Sequence, residues 1–218
     1  MSDEERHSKA LEIELISDPE EKARQEAKNG LRQFDEVIER INYSLQPERP
    51  FKLRPSAILS LHRRALEGIS SFAGVPRPGG IEIKGSKHQP PGAHLVAELL
   101  EQLCDYINEN WAKSSPLHVA AYTLWRMNWI HPFVDGNGRT SRAVSYLVLC
   151  VRLGYVLPGT QTIPEQISRN KDPYYKALEA ADQANAAGKI DLSEMEKLLE
   201  SLLAAQLVSV IDAAKSKG

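Results

Sequence analysis

The sequence predicts an all-α fold: a helical bundle that carries one short β-hairpin. Three observations lead there. Apolar residues return at three- and four-residue intervals through most of the 218 residues. Helix-start signals recur, with a capping residue followed by proline, at Ser17-Asp18-Pro19, Ser115-Pro116 and Asp172-Pro173. Only Gly80-Ile81-Glu82-Ile83-Lys84-Gly85, inside a Gly- and Pro-rich stretch from Gly74 to Gly92, alternates apolar and polar side chains as a strand does.

In chain order, residues 1–16 are charged and read as frayed. Ser17 or Asp18 then caps a helix with Pro19 in its first turn and Glu20 and Glu21 favouring its dipole. Ala27, Leu31, Phe34, Ile38, Ile41 and Leu45 form its expected stripe, with Gly30 inside it. After a proline-rich connector, a second helix runs over Pro55–Ile69, with Ile58, Leu61, Ala65 and Ile69 on one face. His62 lies beside that face and reads as a packed or half-exposed histidine outside any active site. Ala93–Trp111 and Pro116–Ile130 are the next two helices, and Thr140–Leu153 follows, ended by Gly154. The last two look apolar on several sides, as central helices do. Short helices open at Thr162 and Asp172, Gly188 breaks the chain, and Leu192–Ala213 closes it with Met195, Leu198, Leu202, Ala205 and Val208 along one stripe. The last helix packs on the core or forms a homodimer seam. The implied organisation is an N-terminal helical extension over 1–50, a core over 51–187 and a C-terminal helix over 188–218.

Composition narrows the function classes. A net charge of −2 argues against nucleic-acid and membrane-surface binding. Cys104 and Cys150 sit in apolar helical patterns without metal-ligand spacing, which suits buried thiols in a reducing compartment. No apolar run reaches transmembrane length, and Met1–Lys9 lacks an apolar signal core, so the expected location is cytoplasmic.

The chemistry concentrates between the two central helices, in His131-Pro132-Phe133-Val134-Asp135-Gly136-Asn137-Gly138-Arg139-Thr140-Ser141-Arg142. Pro132 biases His131 out of the α region and ends the preceding helix. Gly136 and Gly138 let main-chain N–H groups converge at the start of the next helix, where orphan donors and the dipole favour an anion. Arg139 and Arg142, three apart, share a helix face. Asp135 suits a hard cation, and His131 titrates near neutrality. An anion nest, two guanidinium groups, a metal carboxylate and a base in twelve residues suit phosphoryl or nucleotidyl transfer on a Mg²⁺-bound nucleotide.

That stretch resembles, residue for residue, the signature of the Fic (filamentation induced by cAMP) family, His-x-Phe-x-Asp/Glu-Gly-Asn-Gly-Arg-x-x-Arg. The resemblance implies a Fic-type helical bundle, with 51–187 as its core, and a protein adenylyltransferase that moves AMP from Mg-ATP to a Ser, Thr or Tyr hydroxyl and releases pyrophosphate. His131 is then the general base and Asp135 the Mg²⁺ ligand. Gly136, Asn137 (side chain included) and Gly138 cradle the α- and β-phosphates, and Arg139 and Arg142 neutralise the β- and γ-phosphates. Phe133 pins the loop to the core. Gly138, where kinase-like relatives carry Lys, favours nucleotidyl transfer, although transfer of another phosphate-linked group stays open.

The same resemblance makes Ile81, Glu82, Ile83 and Lys84 a flap on which a target protein docks as an extended strand, with self-AMPylation also expected. It places Asn170 and Tyr174 in an adenine pocket, against the alternative that the Tyr174-Tyr175 pair is core edge. It also implies an inhibitory glutamate. No segment matches the family's inhibitory helix cleanly; Glu26 is favoured as partner of Arg142, with Glu21 or a separate protein as alternatives. A phosphate-binding module without turnover and a hydrolase that removes AMP remain as competing readings.

Overall fold

The computed structural model describes the backbone of residues 8–9 and 15–215, and the side chains of 15–210. Most of the expected charged N-terminal stretch therefore lies outside the described residues. Two short strands pair, β1 (Ser8–Lys9) with β2 (Glu82–Ile83). The helices are α1 (Pro19–Ser44), α2 (Pro55–Leu66), α3 (Val96–Asn110), α4 (Pro116–Ile130), α5 (Asn137–Leu153), α6 (Ile163–Arg169), α7 (Asp172–Ala186) and α8 (Ser193–Lys215). A 3₁₀ turn, Ala93–Leu95, precedes α3. The all-α expectation holds.

Capping follows the sequence. Asp18 accepts from the Glu21 N–H at 2.7 Å, and Ser115 accepts from the His118 N–H at 3.0 Å. Gly154 ends α5 at φ 89°, in the left-handed region that favours glycine. The central pair is α4 and α5, which pack on each other and are buried on most sides. Helix α1 packs on α2 and α5, α3 on α4, and α8 on α4, α6 and α7. Both terminal helices thus pack directly on the core. Cys104 and Cys150 are free and buried, and burial pushes their thiols up to about 12 and about 11.

Two stripes differ from expectation. On α1 the buried residues are Asn29, Gln33, Val37 and Ile41, while Leu31 is 71% exposed and Phe34 37%. The cause is polar pairing. Asn29 Nδ2 donates to the carbonyls of Glu67 (2.8 Å) and Ala65 (3.3 Å), and Gln33 Nε2 donates to that of Leu61 at 3.0 Å. Two amides therefore serve carbonyls along and just past the end of α2, which turns the helix away from its apolar line. On α8 the buried line is Met195, Leu199 and Gln206, with Val208 53% exposed. Gln206 accepts from the Ile163 N–H at 3.0 Å and donates to the Pro158 carbonyl at 3.0 Å, so a polar residue sets that rotation too.

The strand falls where alternation placed it, with a partner from a distant part of the chain. Ser8 pairs with Ile83 and Lys9 with Glu82, antiparallel. The chain after Ile83 turns at Gly85 (φ 74°) and then meets Pro90 and Pro91, which lack the N–H a ladder requires. A local hairpin is thereby disfavoured.

Candidate active site

Helix α4 ends at His131, the only described non-glycine residue with positive φ (φ 50°, ψ 61°). The left-handed turn carries the chain out of α4 and into the loop. Phe133 and Val134 are buried beneath that loop. Gly136, at φ 74°, caps the start of α5, and a Cβ there would sit 3.3 Å from the His62 ring. Helix α5 begins at Asn137, earlier than the expected Thr140, so the N–H groups of its first turn belong to the loop motif itself.

His131 is 7% exposed. Burial pushes its imidazole down to about 4, partly offset by a bond to the Asn128 carbonyl. Nδ1 lies 3.3 Å from that carbonyl. A carbonyl can only accept, so Nδ1 carries the proton and Nε2 is the basic nitrogen. Asn128 is itself held: its Nδ2 donates to the Leu124 carbonyl at 2.6 Å and to Ser141 Oγ at 2.9 Å.

Asp135 is partly exposed, and its carboxylate lies 3.0 Å from Arg139 Nη2. Arg139 Nη1 is 3.4 Å from Glu26. Arg142 points elsewhere: among the described residues no carboxylate pairs with it. Its partly buried guanidinium lies near Arg139, Tyr174 and Tyr175, and burial pulls its pKa down. A cation held there without a carboxylate, beside the N-terminus of α5, favours an anionic ligand. Gly138 is helical rather than left-handed, and a Cβ there would sit 3.2 Å from Arg142 Nη1, so a larger residue would nudge that guanidinium.

Several expectations are corrected by this geometry. Glu26 faces Arg139, not Arg142. The Asn137 side chain, expected on the phosphates, is spent on the loop's own main chain: it accepts from the Phe133 N–H at 2.9 Å and donates to the Phe133 carbonyl at 2.8 Å. It is 3% exposed and closes the loop on itself. Tyr174 is 2% exposed and belongs to the core, whereas Tyr175 is partly exposed and Asn170 exposed. Glu82 and Lys84 are exposed, with Ile81 and Ile83 partly covered, and β2 is already paired with residues 8–9.

Two neighbours of the loop have contacts that the sequence does not mark: His62 is packed as expected but also bonds the loop, and Arg77 is not singled out. His62 is fully buried and bonds the loop through the Asp135 carbonyl at 2.9 Å. Arg77 is 2% exposed and donates to the His131 carbonyl at 2.7 Å. Its only signal was a lone arginine in Val75-Pro76-Arg77-Pro78-Gly79-Gly80, where no periodicity marks a buried position.

Two central helices meet at a glycine-bearing loop where the Arg142 guanidinium, paired with no described carboxylate, stands beside the first turn of α5 and the buried His131: the arrangement is that of a helical protein with a loop suited to an anion. Residues 52–149 match the model of the Fic/DOC family. The protein adenylyltransferase Fic of Drosophila willistoni is 32% identical over 159 residues, covering 72% of this chain and 30% of that protein. The chain thus spans less than a third of the length of that curated relative. The structure of a Fic domain containing signaling protein from Bacteroides thetaiotaomicron superimposes with a TM-score of 0.69 at 23% identity, over 88% of this chain and 74% of that one. The Fic-1 structure from C. elegans gives 0.65 at 25% identity, over 87% and 52%. The chain belongs to the Fic/DOC family. No described helix is long and apolar enough to cross a membrane.

Proposed function

We propose that this chain transfers AMP from Mg-ATP to a Ser, Thr or Tyr hydroxyl of a target protein. The observation that carries the reading is the placement of His131: it sits, buried, at the turn between α4 and the loop that opens α5, with Nδ1 3.3 Å from the Asn128 carbonyl, and burial disfavours its charged form. With Nδ1 turned to a carbonyl, Nε2 is the nitrogen that would accept a proton, which is the role of a general base. Family membership and relatives named protein adenylyltransferase support the same reaction.

In that reaction the target hydroxyl attacks the α-phosphorus. An oxygen–phosphorus bond forms to the target, the bond to the bridging oxygen of the β-phosphate breaks, and pyrophosphate leaves. Nε2 of His131 takes the hydroxyl proton. The first-turn N–H groups of α5 and the Arg142 guanidinium hold phosphate oxygens and stabilise the charge that shifts toward the leaving group. Arg139 joins them on releasing Glu26 or Asp135. The residues fit a magnesium ion bound largely by phosphate oxygens and water: Asp135 offers one accessible carboxylate, and no group of three His, Cys, Asp or Glu gathers among the described residues. Such an ion, when bound, supplies charge neutralisation. On the α6–α7 side the exposed Asn170 and the partly exposed Tyr175 are the candidates for contact with a base. The target docks along β2 as an extended strand.

The test is incubation with Mg²⁺ and ATP labelled on the α-phosphate, with and without candidate targets, beside His131→Ala. Label retained on protein by the wild type alone supports the reading. Label from γ-labelled ATP only, or none from any nucleotide and target, defeats it.

A further inference from the structure

We infer that Arg77 is a positioning residue for this reaction: one buried guanidinium locks the main chain of His131 to both ends of the segment that carries β2. The activity part of the inference rests on the transfer reading above, and the clamp itself rests on geometry.

The contacts come from three stretches of chain. Arg77 Nε donates to the His131 carbonyl at 2.7 Å, and Nη2 reaches the Ile130 carbonyl at 3.4 Å. Nη1 donates to the Gly79 carbonyl at 2.8 Å, and Nη2 also donates to that of Pro91. The Arg77 main-chain N–H donates to the Pro132 carbonyl at 2.8 Å. Among the described residues no carboxylate pairs with Arg77. Burying a guanidinium away from carboxylates is costly unless its donors are used, and here carbonyls use them.

Those carbonyls explain the placement. Ile130 and His131 stand at the end of α4, where helix carbonyls have no partner of their own. His131 adopts a left-handed conformation that a non-glycine residue holds only when its surroundings fix it. Gly79 and Pro91 bracket β2, so the same fork that fixes the imidazole also closes the base of the docking strand. His88, inside that segment, adds a second tie through Nε2 to the Trp129 carbonyl at 2.7 Å. Lysine could not substitute: its single nitrogen cannot span carbonyls from separate stretches as a planar fork does. The charges that face His131 are Arg77 and His88, which disfavour its protonation, and Asp135, which favours it.

The experiment compares wild type with Arg77→Lys and Arg77→Gln. Calorimetry with Mg-ATP reads the anion site, transfer assays read kcat, and NMR reads the His131 imidazole titration and amide exchange over residues 80–89. Expected are nucleotide affinity within about threefold, kcat lowered tenfold or more in both variants because small displacements of a base are costly, and faster exchange over 80–89. His131 should titrate higher in Arg77→Gln than in Arg77→Lys. A kcat for Arg77→Lys within twofold of wild type, or unchanged exchange, overturns the inference. If both variants unfold, the wild type still decides: a through-hydrogen-bond coupling from Arg77 Nε to the His131 carbonyl carbon is required, and its absence overturns the clamp. A wild type that folds, shows the coupling and transfers no AMP sinks the transfer reading and leaves the clamp standing.

Discussion

The imidazole of His62 lies flat on the ring of Phe133, with centroids 3.6 Å apart and planes 4° apart. The same ring accepts from the Gly74 N–H at Nδ1 (2.9 Å) and donates from Nε2 to the Asp135 carbonyl (2.9 Å). One side chain of α2 thus supports the motif loop from below and fixes the main-chain carbonyl of Asp135, the residue proposed to hold magnesium. His62→Ala leaves a buried donor unpaired and a cavity under Phe133. Urea unfolding should show a loss of about 2–4 kcal/mol. The KM for ATP should rise as Asp135 loosens, while an unchanged unfolding midpoint would show the stack to be incidental.

Acid should destabilise the fold over a defined window. Burial lowers both His62 and His131 to about 4, from 6.5. The unfolded chain therefore binds more protons between these values, and stability rises with pH. The contribution is complete above pH 6.5 and is lost as pH falls toward about 4, at up to about 1.4 kcal/mol per pH unit for each ring. Denaturation series at pH 7, 6, 5 and 4.5 should show this slope, and His62→Gln should roughly halve it. In the proposed AMP transfer the same shift would keep His131 neutral, so the acid limb of kcat/KM should fall well below 6.5.

Legibility in the sequence followed the kind of force at each place. Helix boundaries at Asp18, Ser115 and Gly154 were legible because capping is local. The burial of α4 and α5 was legible because their apolar residues run all round. The motif loop was legible as a conjunction of residue types, and Phe133 could be assigned to packing. What failed was long-range polar pairing. Asn29, Gln33 and Gln206 look like surface residues until their carbonyl partners, dozens of residues away, are known. Asn137 looks like a ligand group for the same reason, although it bonds its own loop. Arg77 was invisible because burial of a lone arginine depends wholly on carbonyls gathered from Gly79, Pro91 and the end of α4.

Asn137 yields a separable prediction. Its two bonds to the Phe133 main chain give it a structural role, so Asn137→Ala should lower stability by about 1–3 kcal/mol and raise the KM for ATP through a looser loop. Asn137→Asp keeps the acceptor for the Phe133 N–H but sets an oxygen against the Phe133 carbonyl, so it should be no better. Retained thermal stability together with a large loss of nucleotide affinity would instead return the side chain to the phosphates.

The Glu26–Arg139 contact spans 3.4 Å between partly exposed groups. Such pairs are worth at most about 1 kcal/mol, so Glu26→Gln should improve apparent ATP affinity by no more than about fivefold. The gain should shrink as salt rises. Titration of labelling against ATP at low and high ionic strength measures it. A gain of a hundredfold would mean that Glu26 reaches Arg142 in solution and blocks the anion site outright.

The pairing of β1 with β2 bears on target access. Ser8 and Lys9 occupy one edge of Glu82–Ile83, the strand proposed to receive a target. An incoming strand must displace them or add on the other side. Each main-chain bond exchanged is worth about 0.5–1.5 kcal/mol net, so two residues of pairing can change docking affinity by several-fold to about a hundredfold. Deleting residues 1–14 should therefore lower the KM for a target protein while leaving ATP affinity unchanged, because the anion site is built from α4, α5 and the loop between them. A synthetic peptide of residues 1–14, added back, should restore the wild-type KM by competition. An unchanged KM after deletion would place the target on the opposite edge of β2, and Glu82→Pro and Ile83→Pro, which remove N–H donors from opposite edges of the strand, would then show which edge it uses.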